Sequence, residues 1–389
     1  ITDKYEAGMN LERRDFLRTI PLSALVPGLL VHGPSVTARD VPPATIHPSV
    51  TGPIQDPDQI DLLYRNAIVI DALIITRGWD EESFRAAGET GYTGIQTSLA
   101  SGNLTAALED LAEWNQRLRE NPDRLVKAVS AGDFTRAKQA GKLAVMLGFQ
   151  NATMIESSVD NLETLYQQGT RWIQLTYNTR NLLGDGCTER TNAGLSDFGI
   201  AVVERMNKLG IIVDLSHCGR QTTMDGIQFS NPGACFTHTM CEALYPAHPR
   251  AKTDEQIRAM ADRGGVMGII GLGYMIGPDP GGETTIETYV DHIDHAVNTG
   301  GIDHVGLASD YAIEGISPGA TRENWYEPRL TRFPPSYEVR WPPWIPALEP
   351  PDRYRNVAHA LDRRGYRTGH IEKILGLNWL EYYRGVLKN

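Results

Sequence analysis

The chain has 389 residues, with 37 Lys and Arg side chains against 48 Asp and Glu, which gives a formal net charge of −11 at pH 7. This acidic balance argues against nucleic acid or an anionic membrane surface as the main partner, because both would repel the protein. The length suits one (β/α)8 barrel, which takes about 250 residues and more with insertions.

The first 38 residues have the features of an export signal. The sequence RRDFLR begins at Arg13, an apolar stretch of about 12 residues follows, and residues 36–38 (VTA) form a small-residue cleavage site. This pattern resembles a twin-arginine (Tat) signal, although an ordinary amphipathic helix after an arginine pair is the alternative. The apolar stretch is too short to cross a bilayer of about 30 Å. We therefore expect export to the periplasm through the Tat machinery.

Downstream of residues 1–38, a Pro-rich extended lead-in is expected over residues 39–59, and one catalytic domain over residues 60–389. Apolar runs bounded by turn residues predict eight strands in this domain, and helical patterns such as residues 104–121 separate most of them. The strands centre near Ile68, Val126, Val145, Ile173, Ile212, Cys235, Val266 and Val305. This alternation predicts the α/β class and, within it, a (β/α)8 (TIM) barrel.

Two histidines stand at matched places in a strand–helix–strand unit over residues 210–239. His217 ends the first short apolar run, and His238 ends the second. Side chains at the carboxyl ends of parallel strands line the active site of a barrel, so two imidazoles there indicate a metal site or a proton-transfer pair. Two unrelated structural histidines are the alternative.

Three other polar residues, Gln150, Tyr177 and Asp310, also fall at predicted carboxyl strand ends. We expect them to face one cavity together with the two histidines. Arg250 follows the sixth predicted strand closely and is expected on the rim of this cavity, as a clamp for a substrate carboxylate. An ordinary surface arginine is the alternative for Arg250.

Four cysteines, Cys187, Cys218, Cys235 and Cys241, lie in the central third of the chain. An even number in an exported protein permits disulfides, whereas the absence of a C-x2-C pair argues against a cysteine zinc motif. Cys218 directly follows His217 and is expected to be a buried structural residue rather than a reactive thiol.

At these residues the sequence resembles the membrane (renal) dipeptidase family, peptidase family M19, a binuclear-zinc branch of the metal-dependent hydrolase barrels. The resemblance covers roughly residues 60–385. Its markers are VDLSH at 213–217, THT at 237–239, HPR at 248–250, HIDHAVNTGGIDHVGLASDY at 292–311 and IEKILGLNWL at 371–380.

The resemblance implies roles for four residues. His217 and His238 match two zinc-binding histidines, Arg250 matches the arginine that holds the substrate carboxylate, and Asp310 matches the catalytic aspartate near the metals. A homodimer is also compatible with the sequence.

Three departures from the family pattern concern the metals and the oxyanion. The first-strand ligand positions hold Leu73 and Ile75, the bridging glutamate is replaced by Gln150, and the oxyanion-stabilising histidine is replaced by Tyr177. Aliphatic side chains cannot bind zinc, and a neutral amide cannot hold two dications together. We therefore expect at most one divalent metal, zinc, held by His217 and His238, or none. Tyr177 can still donate a hydrogen bond to an oxyanion.

Three functions fit these residues. The first is mononuclear metal hydrolysis of an amide, peptide or lactone bond in a small carboxylate-bearing, amino-acid-derived or peptide-like substrate. The second is a metal-independent acid–base enzyme, a lyase, tautomerase or isomerase, in which the two histidines, Tyr177 and Asp310 are catalytic. The third is a non-catalytic protein that binds a small carboxylate through Arg250, Tyr177 and Gln150.

Overall fold

Parallel strands alternate with helices along the described part of this computed structural model, which comprises residues 54, 56–76, 78–246, 248–277 and 284–388. The predicted Tat-type signal lies outside the described residues, as does most of the predicted lead-in. The strands are β1 Ile70–Ile75, β2 Gly94–Thr97, β3 Leu125–Lys127, β4 Leu143–Phe149, β5 Thr170–Gln174, β6 Ile212–Asp214, β7 Phe236–Thr239, β8 Met267–Ile270, β9 Val305–Ala308 and β10 Tyr311–Ala312.

The helices lie between and after these strands, and several begin at a polar N-cap. Ser196, directly before the helix at Asp197–Leu209, accepts the backbone N–H of Gly199 as its N-cap. The helices are α1 Pro57–Asn66, α2 Glu81–Glu89, α3 Leu104–Glu120, α4 Ala131–Ala140, α5 Asn161–Gln168, α6 Asp197–Leu209, α7 Arg220–Phe229, α8 Asp254–Asp262, α9 Gly273–Ile276, α10 Ile286–Gly300, α11 Glu327–Arg332, α12 Arg353–Arg363, α13 Thr368–Glu372 and α14 Asn378–Val386. Among the described helices, none is both long and apolar enough to cross a membrane.

The strands form a closed (β/α)8 barrel in which the neighbours are parallel. One sheet has the order β10-β1-β2-β4-β5-β6, and the other has the order β7-β8-β9. A parallel bridge between Asp214 and Cys235 joins β6 to β7. On the other side, the chain leaves β9 and pairs with β1 through Tyr311 and Ile74. All of the carboxyl strand ends therefore open on one face, as the predicted (β/α)8 barrel requires.

One predicted barrel strand is wrong. The strand near Val126 exists as β3, but it pairs only with the N-terminal half of β4. The C-terminal half of the same β4 edge pairs with β5, which continues the barrel. Its place in the barrel wall is taken by β2, whose sequence GIQT is too short and too polar to show a strand pattern. A side chain at Gly94 would come within 2.4 Å of the Phe134 ring, so the close helix packing here requires glycine.

The inside of the barrel is filled by apolar side chains, and α14 closes its amino-terminal end. Leu73, Met146, Trp172 and Trp379 belong to one buried cluster. The approach of Trp379 is so close that a side chain at Gly306 would come within 2.3 Å of its indole nitrogen. Because this plug occupies the lower barrel, the cavity of the barrel lies above it, at the carboxyl strand ends.

Candidate active site

A cavity of about 670 Å³ opens at the carboxyl ends of the strands. Gln150 directly follows β4, Tyr177 follows β5, and Asp310 lies between β9 and β10; all three line the cavity. Arg250, from the loop after β7, lines it as well. The cavity is thus lined by four of the six residues that the sequence predicts around it.

Asp310 is a carboxyl group at the bottom of the cavity, surrounded by protein yet accessible from the cavity side. Its backbone is in the left-handed region with φ of 57°, a strained conformation for a residue other than glycine. The backbone N–H donates to Leu73 O at 3.1 Å and so holds the residue against β1. Burial raises the pKa of Asp310 to about 7, although the guanidinium groups of Arg250 and Arg329 act in the opposite direction.

Arg250 is buried, with 2% of its surface exposed, and does not lie on an open rim as expected. Nη2 donates to His238 O at 2.5 Å, and Nη1 contacts the Met275 sulfur at 3.8 Å. Its Nε has no hydrogen-bond partner among the described residues. A buried guanidinium without a carboxylate partner is costly, so this charge is available for an anionic ligand.

The two histidines do come together, but they do not line the cavity as predicted. His217 Nε2 lies 3.0 Å from His238 Nε2, and both rings are buried. The Tyr177 ring stacks on His217 with centroids 4.3 Å apart and an interplanar angle of 22°. Tyr177 therefore lies between the cavity and the imidazoles, and a local sequence pattern cannot show such a covering contact.

Each imidazole is held from its far side by a hydrogen bond. His217 Nδ1 lies 2.6 Å from Asn178 Oδ1, which also accepts the Tyr337 hydroxyl at 2.9 Å. Because Asn178 Oδ1 is an acceptor, His217 carries its proton on Nδ1 and presents the lone pair of Nε2 to His238. His238 Nδ1 lies 2.7 Å from Thr237 Oγ1.

A buried carboxyl group completes this network under the barrel rim. Asp214 Oδ2 lies 2.7 Å from Thr237 Oγ1, and Oδ1 accepts from Ser216 Oγ at 2.6 Å. Burial raises the pKa of Asp214, so a proton on Oδ2 can be donated to Thr237 Oγ1, whose own proton then goes to His238 Nδ1. The Ser216 hydroxyl in turn accepts the backbone N–H of His238 at 3.1 Å. Every nitrogen of the histidine pair consequently has a partner, which is the usual condition for stable buried polar groups.

Both histidines are neutral. Burial, the nearby Arg250 guanidinium and the Lys252 ammonium hold the pKa of His217 and of His238 well below the usual range. Lys252 itself is buried and donates to Leu215 O, Cys218 O and Thr223 Oγ1. Burial lowers the pKa of Lys252 to about 8.

The donor groups do not fit the two-zinc centre that the family resemblance implies. A catalytic zinc takes three protein ligands, and within the described ranges no three His, Cys, Asp or Glu side chains converge. Leu73 packs in the barrel interior, and Ile75 contributes an aliphatic wall to the cavity. The Gln150 amide donates to Ser98 Oγ at 2.8 Å. Of the described positions that match the family's metal ligands, His217 and His238 keep nitrogen donors, at their Nε2 atoms.

The structure adds functional candidates that sequence analysis missed. Tyr274 and Tyr337 are buried cavity walls, and Asn178, with φ of 62°, orients His217. Residues 322–344 supply further walls, and the signal that could have revealed them is their density of arginine and aromatic residues directly after the last barrel strands. In a barrel such loops border the active site.

The four cysteines are free thiols. The disulfides that an even count permits are therefore not formed. Cys218 is buried, as expected for a structural residue, and burial raises the pKa of its thiol to about 11. Burial raises the pKa of the Cys187 thiol to about 12. Neither thiol has the thiolate character that a nucleophile needs.

Comparison with protein families finds one matching description. A family model described as membrane dipeptidase (peptidase family M19) matches residues 76–326, which is more than half of the chain.

Two of the similar proteins are fungal proteins named as dipeptidases. Dipeptidase tcpJ from Claviceps purpurea is 30% identical over 274 residues, 70% of this chain and 58% of that protein. Dipeptidase verJ from Clonostachys rogersoniana is 28% identical over 211 residues, 54% of this chain and 53% of that protein. The chain therefore spans little more than half the length of these curated relatives.

Solved structures share the fold over most of the chain. An amidohydrolase from Pseudomonas aeruginosa superimposes with a TM-score of 0.75 at 29% identity and covers 84% of this chain and 99% of its own. A metallopeptidase from Rhodobacter sphaeroides, solved with a phosphinate mimic of the dipeptide L-Ala-D-Ala, has a TM-score of 0.67 at 18% identity, with 82% and 99% covered. The second likeness shows the fold alone.

Proposed function

Because the chain belongs to the membrane dipeptidase family, peptidase family M19, we propose that it is an enzyme of that fold that acts on a small carboxylate-bearing, amino-acid-derived or peptide-like molecule. Arg250 binds the substrate carboxylate, and Asp310 transfers the proton. In this proposal the reaction does not depend on the family's two-zinc centre.

One observation carries the proposal: a carboxyl group and a guanidinium, neither in an ion pair with another described residue, face the same cavity. Structural charges inside proteins are normally paired, because an unpaired buried charge costs several kcal/mol. Asp310 and Arg250 line the cavity without such partners. Unsatisfied buried groups at the carboxyl ends of barrel strands are typical of active sites.

The chemistry that these groups can perform is general acid–base catalysis. A carboxyl group with a pKa of about 7 is ionised in about half of the molecules at neutral pH, so it can accept a proton from a substrate or a water and return it later. Tyr177 lines the same cavity, and burial raises its pKa, so its hydroxyl stays protonated and can donate to a developing oxyanion.

Hydrolysis of an amide or peptide bond is the reaction that family membership favours. Asp310 would then act as the base on an attacking water, and Arg250 would position the substrate by its carboxylate. An elimination or tautomerisation at the same position is the second candidate, favoured because Asp310 and Tyr177 line one cavity and could provide a base and an acid.

The test is an activity screen of the purified chain against dipeptides and N-acyl amino acids, followed by NMR so that hydrolysis and non-hydrolytic products are both detected. We expect kcat/KM to rise with pH through about 7, because the base is active when ionised. Asp310→Asn should lower kcat/KM by about 100-fold or more.

A matched control is Asp303→Asn, which removes an exposed carboxylate that pairs with Lys373. This variant should keep the wild-type rate. Turnover that survives in Asp310→Asn, or a pH profile without an inflection near 7, would contradict the proposed role. Tight carboxylate binding without any turnover would instead indicate a non-catalytic binding protein.

Export belongs to the same proposal and is supported by RRDFLR and by the small residues at 36–38. Replacing Arg13 and Arg14 with Lys should leave the precursor in the cytoplasm, because the Tat receptor recognises the pair. Cell fractionation checks this expectation, and normal periplasmic accumulation of the variant would refute it.

A further inference from the structure

Two arginines stand at the mouth of the cavity, on α11. Arg329 is half-buried and Arg332 is exposed, and both line the cavity that contains Asp310 and Arg250. The residues before and after α11 wrap over the same opening, so this helix is held at the entrance.

Neither guanidinium forms an ion pair with a described residue, although Asp310 and Arg329 interact electrostatically. Arg329 Nη1 donates to Trp325 O at 2.6 Å, and the Arg329 guanidinium lies 3.8 Å from the centroid of the Trp325 ring. Arg332 packs 5.2 Å from the Tyr177 ring and 5.3 Å from the Phe333 ring. A guanidinium that stacks by its face keeps the N–H groups on its edge free for a carboxylate or another planar anion.

Three guanidinium groups are gathered in the cavity of an otherwise acidic protein. Three arginines line it in a chain whose formal net charge is −11. Among the lining carboxylates, Asp80 caps α2 and Glu82 pairs with Arg85. Asp80, Asp310 and Glu314 have no ion pair in the described part and equal the three guanidinium groups in number, so the lining has no excess of either charge. An anion is therefore attracted locally, at the guanidinium groups that have no ion-pair partner in the described part, rather than by the net charge of the cavity.

Aromatic side chains line the same cavity as Arg250, Arg329 and Arg332. Tyr177, Tyr274 and Trp325 line the cavity, and the Tyr274 and Trp325 rings meet edge to face with centroids 6.0 Å apart. Phe333 stacks on Tyr337 with centroids 4.5 Å apart. Walls of this type favour a flat apolar group, because rings gain energy from stacked and edge-to-face contacts beyond their buried area.

We propose that Arg329 and Arg332 form a second anion-binding subsite, so that the substrate is a dianion with an aromatic or flat apolar body. One carboxylate binds Arg250 at the bottom, the body packs between the aromatic walls, and a second anionic group binds the arginines at the mouth. This inference rests on the proposed function only for the assignment of the first carboxylate to Arg250.

Binding of two matched compounds tests it. N-succinyl-L-phenylalanine carries two carboxylates, and N-butyryl-L-phenylalanine has a methyl group in place of the second. By calorimetric titration of the full chain we expect the succinyl compound to bind about tenfold tighter or more, the factor that one charge-assisted hydrogen bond supplies. N-succinyl-L-alanine should bind about tenfold more weakly than the phenylalanine compound, because the ring contacts are lost.

Substitutions test whether the second carboxylate binds Arg329 and Arg332. In Arg329→Gln/Arg332→Gln the preference for the succinyl compound should disappear, while affinity for the butyryl compound stays unchanged. The matched control is Arg322→Gln, an exposed arginine of the same segment that packs over Tyr326 and does not line this cavity. It should keep the preference. The single variant Arg332→Gln, at an exposed position, gives the same test if the double variant fails to fold.

The outcomes separate this inference from the proposed function. Equal binding of the two phenylalanine compounds by the wild type overturns the second subsite, whatever the activity screen shows. A preference that survives in the double variant overturns the assignment to Arg329 and Arg332. Asp310→Asn should keep the succinyl preference, so a failure of the acid–base role leaves this binding result intact.

Discussion

Two neighbouring groups of polar residues differ in how many of their hydrogen-bonding atoms have a partner. The histidine pair is saturated: both nitrogens of His217 and both of His238 have partners, and Tyr177 covers the pair. In contrast, Asp310 and Arg250 face the cavity, and part of the hydrogen-bonding capacity of Arg250 is unused.

The difference indicates what each group does. A satisfied buried network stabilises and orients, whereas unsatisfied buried charges reduce stability and are retained where a ligand or a reaction uses them. Similarity to the family points most clearly to the histidines, yet the cavity gives access to the aspartate and the arginine. The presence of the two family histidines therefore does not by itself identify the residues that bind and convert a substrate.

The largest expected effect comes from converting the histidine pair back into metal ligands. Leu73→His, Ile75→Asp and Gln150→Glu together should raise zinc content toward two per chain, because they supply the missing donors and the bridging charge. The wild type should hold at most one. Elemental analysis of protein purified without added metal gives the count.

The volume-conserving variant Leu73→Met is the control for disturbing the barrel interior and should not change the zinc content. Two tightly bound zinc ions in the wild type would show that the comparison is wrong and that the histidines work as ligands.

A smaller effect is expected when the saturated network is cut. His238→Ala leaves the His217 and Thr237 partners unsatisfied and opens a cavity, so the free energy of unfolding should fall by about 2–4 kcal/mol. Urea denaturation measures the change. His370→Ala, a half-buried histidine outside the network, should stay within about 0.5 kcal/mol. Unchanged stability in His238→Ala would mean that the network is not structural.

The smallest effect is a pH-dependent stabilisation by Asp310→Asn. The pKa of this carboxyl rises from 3.8 to about 7 on folding, so the native state binds the extra proton and the wild type loses stability as pH rises from about 4 to 7. At pH 8 the variant should be more stable by about 2 kcal/mol, after allowance for water in the cavity. Near pH 4 the difference should vanish. Denaturation at both pH values tests the sign.

Much of the fold could be predicted because its pattern is local. Seven of the eight barrel strands are apolar runs that turn residues interrupt, and the polar residue after each run falls at a carboxyl strand end. The exception is β2, where GIQT is buried on both faces without an apolar pattern. Its place in the barrel depends on close contact with α4, and the four residues carry no sign of that contact.

The candidate site also has a part that local sequence patterns predict and a part that depends on tertiary contacts. The sequence by itself determined that Asp310, Arg250, Tyr177 and Gln150 gather at one end of the barrel, because parallel strands present their carboxyl ends on one face. Only the tertiary structure decided that Tyr177 covers His217 and that α11 brings Arg329 and Arg332 to the mouth. Burial and access result from contacts between residues far apart in the chain, and local periodicity contains no information about those contacts.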